Sequence, residues 1–430
     1  MHRTLALVLA GGEGRRLAPL TRERSKPAVY FGGSYRLIDF VLSNLVNSGV
    51  RYIKVVTQYR ATSLVRHLAR NWPTTTSSMG HEIDLVPAAM NHGPNWFRGT
   101  ADAIWQNLDV LREQRPDDVL IFGSDHIYKM DVSLMVEDHR AMGSDVSVAV
   151  LPMPRSEASA FGCVRVDGDG YVTGFLEKPK DPPAMPGHPE LSLISMGNYV
   201  FKTPALLDEL KRCMGRESQS YDFGKDILAT AHHRLKVRAY DFRQQLCPGE
   251  SERSRGYWRD VGTLDAYYEA SMDLVTVEPH LNLYNPGWPI RGAQPTCGPA
   301  KFVFSDDAHS RVGSARDSIV GAGAILSGAR LERSIAFEQV RLHSYSEVLD
   351  SVLFPGAQVG RHCHLERCIV DREVKVPPGT IVGVDTEDDR RRGFAVSEGG
   401  VIVLTRADFG QVDEFDVGGP VAEAEAAAHG

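Results

Sequence analysis

The chain has 430 residues, 42% hydrophobic and 24% charged, with a net charge of -7, so it admits two or three domains with cores of their own. The acidic balance gives no reason to expect nucleic acid as a partner, and any cationic site must be local. Six scattered cysteines with no Cys-x-x-Cys pair, no segment of transmembrane length and an N-terminal apolar run too short for a signal sequence point to a cytoplasmic protein with no membrane attachment.

Leu5-Ala-Leu-Val-Leu9 is an unbroken aliphatic run and predicts a strand buried on both faces. It leads into Ala10-Gly-Gly-Glu-Gly-Arg-Arg16, with Lys26-Pro27 ten residues later. Gly11, Gly12 and Gly14 permit a tight turn whose amide N–H groups face a ligand at close range. Arg15, Arg16 and Lys26 add fixed positive charge, and the whole describes a phosphate cradle. It is neither the dinucleotide fingerprint, which needs a further glycine, nor a P-loop, which needs Gly-Lys-Ser/Thr. The competing reading is a strand-to-helix turn of purely structural purpose, and the three cations weigh against it.

Residues 52–56 predict a second strand, and 63–68 begin a helical pattern. Thr100 is a candidate cap for one helix carrying Ala101, Ile104, Trp105, Leu108 and Leu111 on a single face. Strands are predicted at 119–122 and 145–151, and residues 163–166 and 171–176 read as a β-hairpin. A strand at 198–201, a helix over 204–214, a strand at 235–240 and a helix capped by Thr263 complete this part. The alternation argues for a mainly parallel sheet wrapped by helices.

Near residue 278 the composition shifts, and residues 278–300 hold five prolines and three glycines without a helical period. Beyond them Ile319, Ile325 and Leu331 are six apart, as are Leu353, Val359 and Leu365, then Val370, Val376 and Val382. A six-residue aliphatic period with glycines at corners predicts a left-handed parallel β-helix. The expected organisation is a catalytic domain over 1–277, a linker over 278–300, the β-helix over 301–410 and a low-complexity tail over 411–430. His362-Cys363-His364 has metal-binding residue types, but alternation along a strand sends neighbours to opposite faces.

Asp125 stands just past the predicted strand at 119–122, at the edge where open α/β sheets bind ligands. Asp260, in Tyr257-Trp-Arg-Asp-Val-Gly-Thr263, lies between a strand end and a helix cap. Two carboxylates together with substrate phosphates suit Mg2+. Asp131, by contrast, precedes a helix and reads as its N-cap. Glu177-Lys178-Pro179 closes the hairpin with a carboxylate beside an ammonium, the pair a sugar phosphate needs for its hydroxyls and its charge. Ser195-Met-Gly-Asn198 offers a hydroxyl and a close backbone approach. The sequence has no Gly-x-Ser-x-Gly elbow, no His-Glu-x-x-His and no obvious nucleophilic triad, which favours chemistry by metal and positioning.

A series of longer motifs runs through the chain in order: Leu9-Ala-Gly-Gly-Glu-Gly-Arg-Arg-Leu17, Ser25-Lys-Pro-Ala-Val29, Phe31-Gly-Gly-Ser-Tyr-Arg-Leu-Ile-Asp-Phe40 and Leu42-Ser-Asn44. Then follow Asn95-Trp-Phe-Arg-Gly-Thr-Ala-Asp-Ala103, Ser124-Asp-His-Ile-Tyr-Lys129, Ala160-Phe-Gly162, Phe175-Leu-Glu-Lys-Pro179, Ser195-Met-Gly197 and residues 257–263. With these the chain resembles the bacterial-type glucose-1-phosphate adenylyltransferases from Leu5 to about Arg406. The resemblance implies a Rossmann-like nucleotidyltransferase domain followed by a left-handed parallel β-helix. It implies reaction of ATP with α-D-glucose 1-phosphate to ADP-glucose and pyrophosphate, for glycogen synthesis. It also implies nucleotide binding by Gly11, Gly12, Gly14, Arg16 and Lys26, with Arg16, Lys26 and Asp125 catalytic. Asp125 and Asp260 would carry Mg2+, and Phe97, Gly162, Glu177, Lys178 and Ser195 would hold glucose 1-phosphate. A homotetramer with small-molecule allosteric effectors is implied as well.

Three departures stand out, one of them Ser34 at a position where well-known enterobacterial members have an activator-binding lysine. Pro87-Ala-Ala-Met-Asn91 replaces the family's Pro-Ala-Gln-Gln-Arg, whose glutamine is placed to hydrogen-bond adenine, and Phe97 stands where a tyrosine is common. The open alternatives are a sugar-1-phosphate nucleotidyltransferase for another base or an aminosugar, and a weakly catalytic regulatory subunit. Acyl transfer, common among hexapeptide β-helices, lacks a convincing catalytic histidine in the coils.

Overall fold

Alternation along the first aliphatic run decides the centre of the fold. In the computed structural model, which describes residues 3–72, 80–88, 96–216, 220–292 and 296–411, the strand Thr4–Ala10 sends Ala6, Val8 and Ala10 into one hydrophobic layer. Leu5 and Leu7 enter the other, so the strand is buried on both faces. It pairs in parallel with Tyr52–Thr57 and Asp118–Gly123, and Tyr52–Thr57 pairs in parallel with Glu82–Pro87. The C-terminal ends of these strands share one edge.

Beyond Asp118–Gly123 the pairing changes sense. The twelve-residue strand Leu191–Lys202 runs antiparallel to Asp118–Gly123, to Val146–Pro154 and to Gly162–Val166. A register shift between Ser195 and Tyr199 interrupts its pairing with Val146–Pro154. The expected mainly parallel sheet is therefore mixed, with nine strands among the described residues. The hairpin of Gly162–Val166 and Val172–Glu177 needs no helical crossover, so nothing forces its strands to run parallel.

Predicted helices are found at Thr62–Asn71, Thr203–Met214 and Leu264–Asp273. Thr263 caps the last by accepting from the Ala266 N–H at 3.2 Å, and Asp131 caps Val132–Ala141. The single helix expected after Thr100 is two, Thr100–Trp105 and Leu108–Gln114. Thr100 is not the cap: its hydroxyl accepts from the Phe223 N–H and donates to Asp222.

The chain divides into two compact units, Met1–Leu274 with Glu278–Gln294, and Val275–Val277 with Pro295–Gly430. The segment expected as a linker is thus mostly part of the first unit. Trp288, Leu281 and Ile290 are buried there, and Asn47 donates to the Pro289 carbonyl at 2.9 Å. Prolines and glycines made this stretch read as a connector, whereas they shape an irregular strap bound by side-chain hydrogen bonds.

The second unit is a left-handed β-helix of three sheets, parallel except where the edge strand Ala395–Val396 runs antiparallel to Ile402–Leu404. Leu331 aligns with Val348, Leu365 and Val382, one coil being 17 residues. The inward row Leu353, Val359, Leu365, Val370, Val376, Val382 follows the predicted positions, with spacings of six and five. In the first predicted triplet Leu331 points inward as expected, but Ile319 and Ile325 are only half-buried and Leu326 points into the core instead. In the His362-Cys363-His364 run, His362 stacks on Tyr345, Cys363 is buried and His364 faces Glu347 and Glu366, so the three do not converge.

Candidate active site

The C-terminal edge of the parallel strands opens into a cavity of about 430 Å³. Gly11 and Gly12, directly after Thr4–Ala10, line it, and so does Lys26. Gly14 has φ +70°, and a Cβ there would lie 2.8 Å from the Lys26 Cβ. The left-handed turn and the missing side chain let the loop close over the stem of Lys26. Arg16 is exposed and stands outside the lining. Its Nη2 would be 3.1 Å from a Cβ on Gly262, and Asp260 Oδ2 2.9 Å from the same point, so the guanidinium lies beside Asp260.

Asp125 and Asp260 are far apart in sequence and meet through a two-stranded ribbon. Trp258–Asp260 pairs antiparallel with His126–Tyr128, which sets Asp260 opposite His126. Asp125, His126 and Asp260 offer donor atoms within 4.8 Å of one another. Lys26 Nζ reaches both acids, 2.8 Å from Asp125 Oδ2 and 3.0 Å from Asp260 Oδ1. Burial alone would lower the Lys26 pKa, but the two carboxylates outweigh it and raise it. For Asp125 burial pushes upward and Lys26 more than offsets that, holding the carboxyl far below its ordinary value. Two hard oxygen ligands with room for phosphate oxygens or water fit Mg2+. The His126 ring packs 4.8 Å from Trp258, and its nitrogen suits Mg2+ less well.

Glu177, Asp222 and Tyr199 also line the cavity, whereas Asp260 does not. A Cβ on Gly224 would approach Glu177 Oε2 to 2.8 Å, and one on Gly162 to 3.0 Å, so both glycines make room for this carboxylate. Burial, then the neighbouring Asp222, raise the Glu177 pKa against the pull of Lys178. Phe97 lines the wall, its backbone N–H donating to Gln58 Oε1 at 2.8 Å.

Of the predicted sugar-phosphate residues, Glu177 and Phe97 reach the cavity, while Gly162, Lys178 and Ser195 do not line it. Gly162 lies behind Glu177. The Ser195 hydroxyl is buried, accepting from the Gly197 N–H with the Tyr199 hydroxyl 3.3 Å away. Lys178, at φ +47°, projects outward with 61% of its side chain exposed, its Nζ 3.9 Å from Glu177. In Pro87–Asn91, residues 89–91 lie outside the described residues. Sequence reasoning missed Gln58, Tyr199 and Asp222. Gln58 directly follows the strand Tyr52–Thr57, so the strand-end rule that found Asp125 would have found it. Asp222 caps the helical turn Phe223–Leu228 by accepting from the Lys225 N–H, and such a residue reads as a cap in sequence.

Residues 5–277 match the nucleotidyl transferase family, and residues 298–404 match the GlmU-like C-terminal hexapeptide family. The chain is 50% identical to a glucose-1-phosphate adenylyltransferase of Anaeromyxobacter sp. (strain Fw109-5), covering 95% of this chain and 99% of that one. It belongs to the glucose-1-phosphate adenylyltransferase family. Other adenylyltransferases of this name, from Deinococcus deserti and Methylococcus capsulatus, are 48% and 44% identical, covering 94% and 95% of this chain and 98% and 95% of their own. Within the adenylyltransferase family the predicted fold is the one observed, a nucleotidyltransferase domain followed by a hexapeptide β-helix.

Proposed function

We propose that this chain transfers the adenylyl group of ATP to α-D-glucose 1-phosphate, releasing pyrophosphate and ADP-glucose for glycogen synthesis. The observation that carries the reading is one cavity lined by Lys26, Asp125, Glu177 and Asp222, with Asp260 joined to Lys26 beside that lining. A phosphate oxygen of the sugar attacks the α-phosphorus in line, the bond to the β-phosphate oxygen breaks, and pyrophosphate leaves. The attacking oxygen is already ionised, so no base is required. The barrier is the meeting of two anions, and positioning and fixed charge are what lower it.

In this reading the amides of Gly11 and Gly12 face the triphosphate, Lys26 and Arg16 bear on its charge, and Glu177 and Asp222 accept from sugar hydroxyls. Lys178 at the rim supplies a mobile ammonium for the sugar's phosphate. Asp125 and Asp260 are the residues that would hold Mg2+, which when bound neutralises phosphate charge. A homotetramer, control by small-molecule effectors and a cytoplasmic location belong to the same proposal. No helix among the described residues is long and apolar enough to cross a membrane.

The purified chain, given each nucleoside triphosphate with several sugar phosphates and Mg2+, is expected to release pyrophosphate fastest with ATP and glucose 1-phosphate. Faster turnover with another base or an aminosugar phosphate would overturn the substrate assignment. Replacing Lys178 by Ala is expected to raise the KM for glucose 1-phosphate roughly tenfold or more, the cost of losing a charged hydrogen bond. Equal changes in the KM of both substrates would remove Lys178 from the sugar site.

A further inference from the structure

The motif Leu42-Ser-Asn44 has no part in the cavity, yet Asn44 is wholly buried in the helix Leu37–Asn47. Its side chain ties the backbone of residues 128 and 130 and the indole of Trp288 to this helix. Oδ1 accepts from the Met130 N–H at 3.0 Å and from the Trp288 indole N–H at 3.1 Å. Nδ2 donates to the Tyr128 carbonyl at 3.1 Å. Two obligatory donors on one atom and a carbonyl on the other leave a single way to orient the amide.

Tyr128 and Met130 close the short segment that begins with Asp125. That segment is anchored at its other end by Ser124, whose hydroxyl donates to the Leu9 carbonyl at 2.7 Å. Trp288 belongs to the strap. The strap meets the same segment a second time through Lys129, buried and paired with Glu250 at 2.7 Å, which in turn accepts from Asn285 of the strap.

We infer that Asn44 is a positioning residue for Asp125 and that the strap, through Trp288, helps set where this carboxylate stands. The inference rests on the reading that Asp125 holds the metal. Asn44 touches no substrate. It acts by fixing residues 128–130, and thereby the carboxylate on the same short ribbon. The predicted signature is an effect on turnover and metal affinity with substrate affinities kept.

The test compares Trp288→Phe and Asn44→Asp with Asn47→Ala, which loosens the strap at Pro289 and Arg291 and removes no hydrogen bond to residues 125–130. Steady-state kinetics and Mn2+ binding followed by electron paramagnetic resonance are measured on the full chain, with Asp125→Asn as the reference for the metal site. Trp288→Phe is expected to lower kcat about three- to tenfold, the loss of one buried hydrogen bond, with both KM values within about twofold. Mn2+ affinity should fall by a comparable factor. Asn44→Asp, which cannot donate to Tyr128, should lose roughly 30-fold or more in kcat if it folds. Trp288→Phe with wild-type kcat and Mn2+ affinity overturns the inference. So does an Asn47→Ala enzyme that loses as much kcat as Trp288→Phe, because general loosening would then suffice. If the wild-type chain shows no Asp125-dependent Mn2+ binding, the metal reading falls and takes the inference with it.

Discussion

Lys26 is the residue on which the site's electrostatics turn. Its burial would cost more than it returns were Asp125 and Asp260 not within 3.0 Å. Lys26→Met removes the charge while keeping the stem that packs under Gly14, and leaves two carboxylates facing each other. The expected loss is roughly 10²–10³-fold in kcat, as for removal of one charge-stabilising donor. Lys26→Arg should recover little, because a planar fork does not fit where a point charge bridges two acids. Full activity of Lys26→Met in a pyrophosphate-release assay would refute the role. His139 shows the opposite balance. It is fully buried, with Nδ1 2.8 Å from the Ser147 hydroxyl. Burial, aided by Lys202 and Arg140 and opposed by Asp118 and Asp145, lowers its pKa to about 4. The unfolded chain, with an ordinary histidine near 6.5, then binds more protons than the folded one between these values. Its contribution is complete above pH 6.5 and declines as pH falls toward 4, by up to about 3 kcal/mol. Urea midpoints at pH 7.5 and 5 should differ less in His139→Gln than in wild type, and equal differences would exclude the effect.

At the scale of elements, the corners of the β-helix are built by residues in the left-handed region. Gly323, Gln339, Gly356 and Glu373 form one such column and Asp317, Arg333, Asp350 and Arg367 another, all at positive φ. Most corner N–H groups reach back to a carbonyl of the preceding coil, as Gln339 does to Ala322 and Gly356 to Glu338. These bonds offset the strain, about 1–2 kcal/mol for a residue with a Cβ. Gly356→Val adds a β-branched side chain at φ +73° with Glu373 Cγ 3.2 Å away, and should cost about 2 kcal/mol in urea unfolding. Gln339→Gly relieves its corner but frees the unfolded chain, so a net change under about 1 kcal/mol is expected. Equal destabilisation by both would mean that φ does not govern these corners. The corner chemistry also explains what was legible. Six-residue spacing of inward aliphatics, as at Val370, Val376 and Val382, is visible in sequence because every coil must fill the same axis. The phase of the first coils was not, since Ile319 and Ile325 are as aliphatic as the inward Leu326. Asp125 was legible because a buried strand ends just before it. The pairing of Asp260 with His126, which completes the site, depends on a long-range ribbon that no local pattern encodes.

For the whole molecule, the strap decides where the first unit ends. Residues 278–292 look like a linker in composition, yet Trp288 fills a buried place and serves Asn44, Arg291 N–H donates to Ser43, and Asn285 completes the Lys129–Glu250 pair. A chain ending at residue 277 would leave Glu250 without Asn285, strip the cover from the helix Leu37–Asn47 and expose the surface under Leu281, Trp288 and Ile290. Burial of those three side chains is worth about 1.5–3 kcal/mol each. Each buried polar group left without its partner adds about 1–3 kcal/mol. Together these exceed much of the usual stability of a domain. A chain of residues 1–294 should therefore unfold cooperatively, whereas one of residues 1–277 should show a much lower midpoint or no cooperative transition by calorimetry. Matching midpoints for the two would place the boundary at 277 and reduce the strap to a tether. The two chains differ in nothing else, so the comparison isolates what these seventeen residues contribute to the fold that holds Asp125.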